Sequence, residues 1–490
     1  MPVNSEISLL EGLNEEQKQA VTAACDHHIL ILAGAGCGKT TVLTRRIVYL
    51  SHSGIDQSRI LALTFTRKAA EEMAIRVSRL LGTDDKEKLP VITTFHGFAL
   101  KVLSGALDRT PHFSDIGFAS DSRLISEKER LGMLVRLTTP SERKLLSSDL
   151  FRIDSLLAQK AVFPEKLSGM DKTQSDLLEE IERRLQREKE SCGLWDFSDL
   201  LSGTLRLFRN KPDILERFVS RLSSILVDEF QDTNPVQITL LKTLLSNDKC
   251  LFAVGDDDQA IYAFRGADIR PTLEFCSHFY GASVLKLQIN YRSTPAILNS
   301  ANRINSDKPA AYRKILVSGK YKKNGIAPRK FSFSEQEEML DWIMKQAEMI
   351  WRGEQIKVES MAILFRLNHT LDRSLQYFKS KLGDSASLPV MLTVHKSKGL
   401  EFPVVFLCDM EDGVFPNYQI KSASKPRSVK EIFQRWFKAP EVNCNWDEEK
   451  RLFYVGVTRA EKHLFLLTAR RKEVYGRKRA FRRSRFLCLI

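Results

Sequence analysis

Short apolar runs alternate with amphipathic segments through most of this 490-residue chain. Runs at residues 29–32, 60–65, 225–227, 251–254, 361–365, 404–407 and 464–467 are short enough, and rich enough in branched residues, to predict strands. Each is followed by turn residues or charge, and then usually by a helical pattern. That alternation predicts an α/β fold with mainly parallel sheets. Between residues 99 and 193 strand runs thin out and charge-rich helix takes over. There Leu178, Ile181 and Leu185 fall on one helical face. This stretch reads as a mostly helical insertion in the first α/β domain. Residues 421–438 form a loop-like, Ser/Pro/Lys-bearing segment, and no fixed-period repeat is evident.

Hydrophobic content of 43% and charged content of 28% are ordinary for a globular protein. A net charge of +14 is not, and it points to a polyanionic partner, nucleic acid before acidic membrane. The excess gathers near the C-terminus in Arg470, Arg471, Lys472, Arg477, Lys478, Arg479, Arg482, Arg483 and Arg485. This run reads either as a solvated tail or as a grip on phosphates. Eight scattered cysteines lack metal-ligand spacing, which argues for reduced thiols and against zinc. There is no basic-then-apolar leader and no run of membrane-spanning length, so a cytoplasmic protein is expected.

The densest chemistry lies at residues 29–40. An apolar run leads into Ala33, Gly34, Ala35, Gly36, Cys37 and Gly38, then Lys39, Thr40 and Thr41 open a helical pattern. Backbone N–H groups of such a turn can ring a phosphate chain, with the helix dipole aimed at the same charge. Lys39 can reach the β- and γ-phosphates, and the Thr40 hydroxyl can hold Mg²⁺. The first glycine of the usual phosphate-loop pattern is Ala33 here. A Gly/Ala turn without function is the alternative.

Residues 224–232 form an apolar run ending in carboxylates. Asp228 is placed to share the Mg²⁺, and Glu229 to orient and deprotonate an attacking water. An acidic strand end facing solvent is the alternative. At residues 254–267 a further run delivers Gln259, a candidate γ-phosphate sensor, followed by Tyr262, Phe264 and Arg265. The two rings offer faces for bases to stack on, against the plainer alternative of core packing.

With these residues in place the chain resembles a superfamily 1 helicase of the UvrD/Rep/PcrA type. Residues 13–21 resemble the Q motif, which implies that Gln17 reads the adenine edge. Residues 64–73 resemble motif Ia, which implies DNA contact by Phe65, Thr66 and Arg67. Residues 94–97, with His96, and residues 196–201 are similar to secondary DNA-side motifs. Residues 290–294 resemble motif IV, implying that Tyr291 stacks on adenine and Arg292 touches the γ-phosphate. Residues 393–402 resemble motif V, with His395 on the DNA side and Glu401 near the ribose. Residues 448–460 resemble motif VI, implying that Arg459 is an arginine finger. The resemblance implies two RecA-like motor domains: residues 1–98 and 194–284 forming domain 1A, 99–193 an inserted 1B, and 285–490 domain 2A. It further implies ATP and Mg²⁺ as cofactors. Single-stranded and 3′-tailed duplex DNA are the expected partners, and the expected activity is 3′→5′ translocation or unwinding.

The sequence also departs from the family pattern. Thr41 stands where Arg is common, Arg67 where Asn is usual, Phe264 in place of Trp and Ile289 in place of Gln. Too few residues separate 361–366 from motif V for the large 2B insertion that relatives carry. Short UvrD-like helicases of this plan occur beside nucleases in bacterial defence systems, GajB of Gabija among them. A nuclease partner in repair or anti-phage defence is therefore expected by analogy. The alternative is a DNA-stimulated ATPase that senses nucleic acid or regulates a defence complex, with little unwinding of its own.

Overall fold

The computed structural model describes residues 9–85, 89–117, 122–146, 150–160, 170–245, 249–263, 266–309, 312–321, 323–383, 387–420, 442–443, 445–474 and 477–490. The chain divides into two compact units. One comprises Met1–Ala33 and Lys39–Leu287, the other Gly34–Gly38 and Gln288–Ile490.

The first unit is built on six parallel strands: β1 (Ile29–Ala33), β2 (Ile60–Thr64), β3 (Val91–Thr94), β4 (Ser224–Val227), β5 (Cys250–Gly255) and β6 (Ser283–Leu287). Their order across the sheet is β3-β2-β4-β5-β1-β6. Leu226 and Leu30 flank β5 in register with Phe252 and Ala253 respectively, so the ends of β4, β5 and β1 lie side by side. Strands β1, β2 and β4 are buried at every residue, as parallel strands covered on both faces must be. Helices packed on one face of the sheet fill this core with Phe98, Leu201, Phe208, Leu241 and Phe275.

Helices Glu127–Leu137, Pro140–Leu146, Leu150–Lys160 and Lys172–Ser191 make a separate apolar cluster. Leu178, Ile181 and Leu185 all face into it, as their spacing predicts. Two buried cations tie these helices to the next element. Arg130 bonds Asp154 and Asp196, and Lys189 reaches Asp196 at 3.0 Å and Asp199 at 2.7 Å. Asp196 in turn caps helix Phe197–Asn210.

The main sheet of the second unit has five parallel strands and one antiparallel addition. They are β7 (Arg329–Glu335), β8 (Ala362–Phe365), β9 (Val390–Thr393), β10 (Phe402–Leu407), β11 (Ala460–Val474) and β12 (Arg477–Ala480). The order is β7-β11-β10-β8-β9, with β12 paired to β11. Helix Gln336–Glu354 packs Met339, Leu340 and Ile343 onto Phe406 and Phe465. Between β8 and β9 the described residues hold one helix, Asn368–Leu382.

All seven sequence-predicted strands are present. β3, β6, β7, β9 and β12 were not expected. β7 reads Arg-Lys-Phe-Ser-Phe-Ser-Glu, an alternation on a sheet edge rather than an apolar run. The basic C-terminal run differs from expectation. It is not a free tail: β11 and β12 pair with Arg471 opposite Ala480, and the backbone of Arg483 forms a β-bridge with that of Glu411. Lys472 is fully buried between Asp409, at 2.8 Å, and Glu411. Those two carboxylates outweigh the cost of burial and hold Lys472 charged. Arg485 lies 2.8 Å from Asp412. The segment 421–438 lies outside the described residues.

Candidate functional site

Strand β1 delivers the chain into the turn Gly34–Gly38 and helix Lys39–His52. Gly36 and Gly38 have φ of +67° and +82°. A Cβ on Gly36 would fall 2.7 Å from Asn290 Nδ2, so the position takes no side chain. Within the second unit, Asn290 donates to the Ala35 carbonyl at 2.6 Å, and Tyr291 N–H donates to the Gly36 carbonyl at 2.9 Å. Asn290 is fully buried, and its Oδ1 accepts from the N–H groups of Arg292 and Ser293. It is a shaping residue for the turn that the sequence reading did not single out. Cys37 is buried, Thr40 half-buried and Thr41 exposed.

In the first unit Lys39 Nζ lies 3.7 Å from Asp256 Oδ2, one residue past β5. Asp256 also accepts from the side chain of Gln259. On the neighbouring side β4 is followed at once by Asp228, 6% exposed, whose N–H donates to the Leu63 carbonyl at 2.9 Å. Glu229 follows with φ of +49°, a rare backbone state for a side-chain-bearing residue. Gln231 donates to its carboxylate. Ligand-capable oxygens of Asp256, Asp257 and Asp258 lie within 4.8 Å of one another and all three residues are buried. Hydroxyl and carboxylate oxygens of Thr40 and Asp228 are the donor chemistry that suits Mg²⁺. The turn, whose Gly36 leaves no room for a Cβ, suits a phosphate chain.

Gln17 is buried at the third position of helix Glu15–Thr22. Its Oε1 accepts from Asn14 N–H at 3.1 Å and its N–H donates to Asn14 Oδ1, a capping box.

A cleft of about 330 Å³ in the first unit is lined by Phe65, Thr66, His96, Phe197, Asn234 and Tyr262, among others. Phe65 and Tyr262 stack with centroids 5.3 Å apart and planes 16° from parallel. His96 meets Phe197 edge-on at 5.6 Å. Burial lowers the His96 pKa to about 4 against a smaller upward pull from Asp196, so it is neutral at physiological pH. Thr66 caps helix Arg67–Leu81, accepting from Ala69 N–H at 3.1 Å, and Arg67 is exposed. Phe264 and Arg265 lie outside the described residues. Phe197 falls in the stretch 196–201 that resembles a DNA-side motif, though it was not named there as a contact residue.

In the second unit Arg292 Nε donates to Glu401 at 2.7 Å and its Nη1 to the Thr458 carbonyl at 3.1 Å. Two residues assigned to nucleotide are thus paired with each other. Tyr291 is 38% exposed. Arg459 is buried, donating to the carbonyls of Val455 at 3.1 Å and Leu400 at 2.9 Å. His395 is half-buried in the short turn His395–Ser397 beyond β9. The seven described cysteines are free, and no described helix is long and apolar enough to cross a membrane.

A family model described as the UvrD/REP helicase N-terminal domain matches residues 13–280. A second, the UvrD-like helicase C-terminal domain, matches residues 285–382 and 373–471. A probable DNA helicase of Mycoplasma pneumoniae is 32% identical over 98% of this chain and 87% of its own length. DNA helicase II of Haemophilus influenzae is 37% identical over 61% of this chain and 41% of its own length. ATP-dependent DNA helicase PcrA of Staphylococcus aureus is 33% identical over 74% of this chain. The match spans about half, 48%, of that relative.

Proposed function

The chain belongs to the UvrD/REP helicase family, and from that premise we propose that it is an ATP-dependent 3′→5′ translocase on single-stranded DNA that unwinds 3′-tailed duplexes. One observation carries the reading: Gln259, bonded to the Asp256 that lies beside Lys39, is three residues from Tyr262 in the aromatic cleft. One short segment therefore belongs both to the hydrolytic residues and to a surface on which bases can stack.

In this reading the N–H groups of the Gly34–Gly38 turn hold the phosphates. Lys39 leaves Asp256 for the β- and γ-phosphates, and Gln259 senses the γ-phosphate. Glu229 takes a proton from the attacking water. Thr40 and Asp228 would hold Mg²⁺, which would neutralise phosphate charge. Tyr291 stacks on adenine, Gln17 reads its edge and Glu401 approaches the ribose. Arg292 and Arg459 exchange their present partners for the γ-phosphate as it departs, Arg459 as arginine finger. On the DNA side Phe65, Thr66, Arg67, His96, Tyr262, Phe264, Arg265 and His395 contact the strand. Stacking on each aromatic is worth about 1–3 kcal/mol per base and tolerates any sequence.

The single helix between β8 and β9 supports the view that the 2B insertion is lost. The isolated chain then unwinds weakly and works with a protein partner, a nuclease in a GajB-like defence or repair setting in the cytoplasm. The same short connection favours a second reading, a DNA-stimulated ATPase that senses nucleic acid and gates that partner. Strand displacement on 3′-tailed, 5′-tailed and blunt duplexes separates the two. ATP-dependent displacement of the 3′-tailed substrate supports the motor. DNA-stimulated turnover with no displacement supports the sensor. Turnover indifferent to DNA rejects both.

A further inference from the structure

Gln231 is fully buried in the short turn Phe230–Asp232, and the two ends of its side chain are used in different directions. Its Nε2 donates to the Glu229 carboxylate. Its Oε1 accepts from the backbone N–H of Asp256 at 2.8 Å. Asp256 is the residue whose carboxylate holds Gln259 and lies 3.7 Å from Lys39. The amide of Gln231 thus joins the exits of two adjacent strands, β4 and β5.

The backbone is shaped to admit this bridge. A Cβ at Gly255 would come within 2.8 Å of Gln231 Oε1, so glycine keeps the path open. Glu229 sits at positive φ, a conformation that persists only where its surroundings hold it. A carboxylate with one oxygen fixed by a buried amide has its plane set by that amide.

We propose that Gln231 is a positioning residue that ties the Glu229 carboxylate to the turn bearing Gln259. Water activation then depends on where that turn sits. Because the same turn runs on to Tyr262, DNA in the cleft acts on Glu229 through Gln231. The proposal rests on the ATPase reading given above.

Two variants test it. Gln231→Met fills the same space without either hydrogen bond. Gln231→Glu keeps an acceptor for Asp256 N–H but cannot donate to Glu229. Both are measured for melting temperature, for affinity toward a fluorescent ATP analogue, and for kcat with and without saturating oligo-dT. Expected is nucleotide affinity within about threefold of wild type, with kcat in DNA reduced at least tenfold. The DNA-stimulation ratio is expected to fall toward one in both variants. Gly255→Ala, which pushes on Gln231 Oε1, is expected to lower the ratio in the same direction. A merely structural role would lower the melting temperature and leave the ratio where it was, and that result overturns the proposal. A wild-type chain with no DNA-stimulated turnover overturns the functional reading itself and the proposal with it. A stimulated wild type whose variants keep their ratio overturns only the role of Gln231.

Discussion

Lys39 Nζ stands 3.7 Å from the fully buried carboxylate of Asp256, which also accepts from Gln259. Lys39 and the candidate sensor Gln259 therefore share one counter-charge. Asp256 was not among the residues the sequence singled out, yet it organises both.

Removing the lysine should abolish turnover. Lys39→Ala is expected to show no ATP hydrolysis above background, in a phosphate-release assay with Mg²⁺ and single-stranded DNA. Glu229→Gln should be equally inactive but retain ATP binding, since only the water-activating group is lost. Loss of nucleotide affinity in Glu229→Gln would contradict the role assigned to it.

In the proposed reading the stacked pair Phe65 and Tyr262 grips bases. Tyr262→Ala removes one of two rings 5.3 Å apart. Affinity for oligo-dT, read by fluorescence anisotropy, should weaken by about 1–3 kcal/mol. Affinity for ATP in the absence of DNA should not change. Unaltered DNA affinity would return Tyr262 to the core.

Arg459 carries a double expectation. As an arginine finger its loss should cut kcat by about 10³-fold or more, with ATP affinity within roughly tenfold. Because its guanidinium now bonds buried carbonyls of Val455 and Leu400, Arg459→Ala should also lower the melting temperature. A destabilised variant with normal turnover would leave Arg459 a structural residue.

Lys472 tests the folded hairpin. Lys472→Met leaves Asp409 and Glu411 buried without their cation. Breaking a buried pair from one side costs about 3–5 kcal/mol. Urea unfolding should register that loss, whereas substituting the exposed Arg479 should change stability little.

His96 predicts an acid-sensitive window. Its pKa in the fold is about 4, below the value near 6.5 that it takes when unfolded. The unfolded chain therefore binds the proton first as pH falls. The stability contributed by neutral His96 is present above pH 6.5 and is lost progressively toward pH 4. Melting curves of wild type and His96→Gln should diverge in their pH dependence across that interval and run parallel above it.

The sequence by itself determined the order of apolar runs and the residues that cap them. Strand, turn and charge follow one another locally, so β1 with Lys39 and β4 with Asp228 and Glu229 could be read one segment at a time. The helical face of Leu178, Ile181 and Leu185 was equally legible, because its period of 3.6 is a local property. Tertiary structure decided what no local pattern carries. Strand order placed β4, β5 and β1 side by side, and only then do Gln231, Asp256 and Lys39 become neighbours. Within the second unit the partners Glu401 of Arg292, Leu400 of Arg459 and Ala35 of Asn290 lie far away along the chain. A run of basic residues became a buried Lys472 and a paired Arg485, because three carboxylates past β10, Asp409, Glu411 and Asp412, await them. Charge along a chain sets the net field, but which charges pair depends on which strands lie adjacent, and that is settled only by packing.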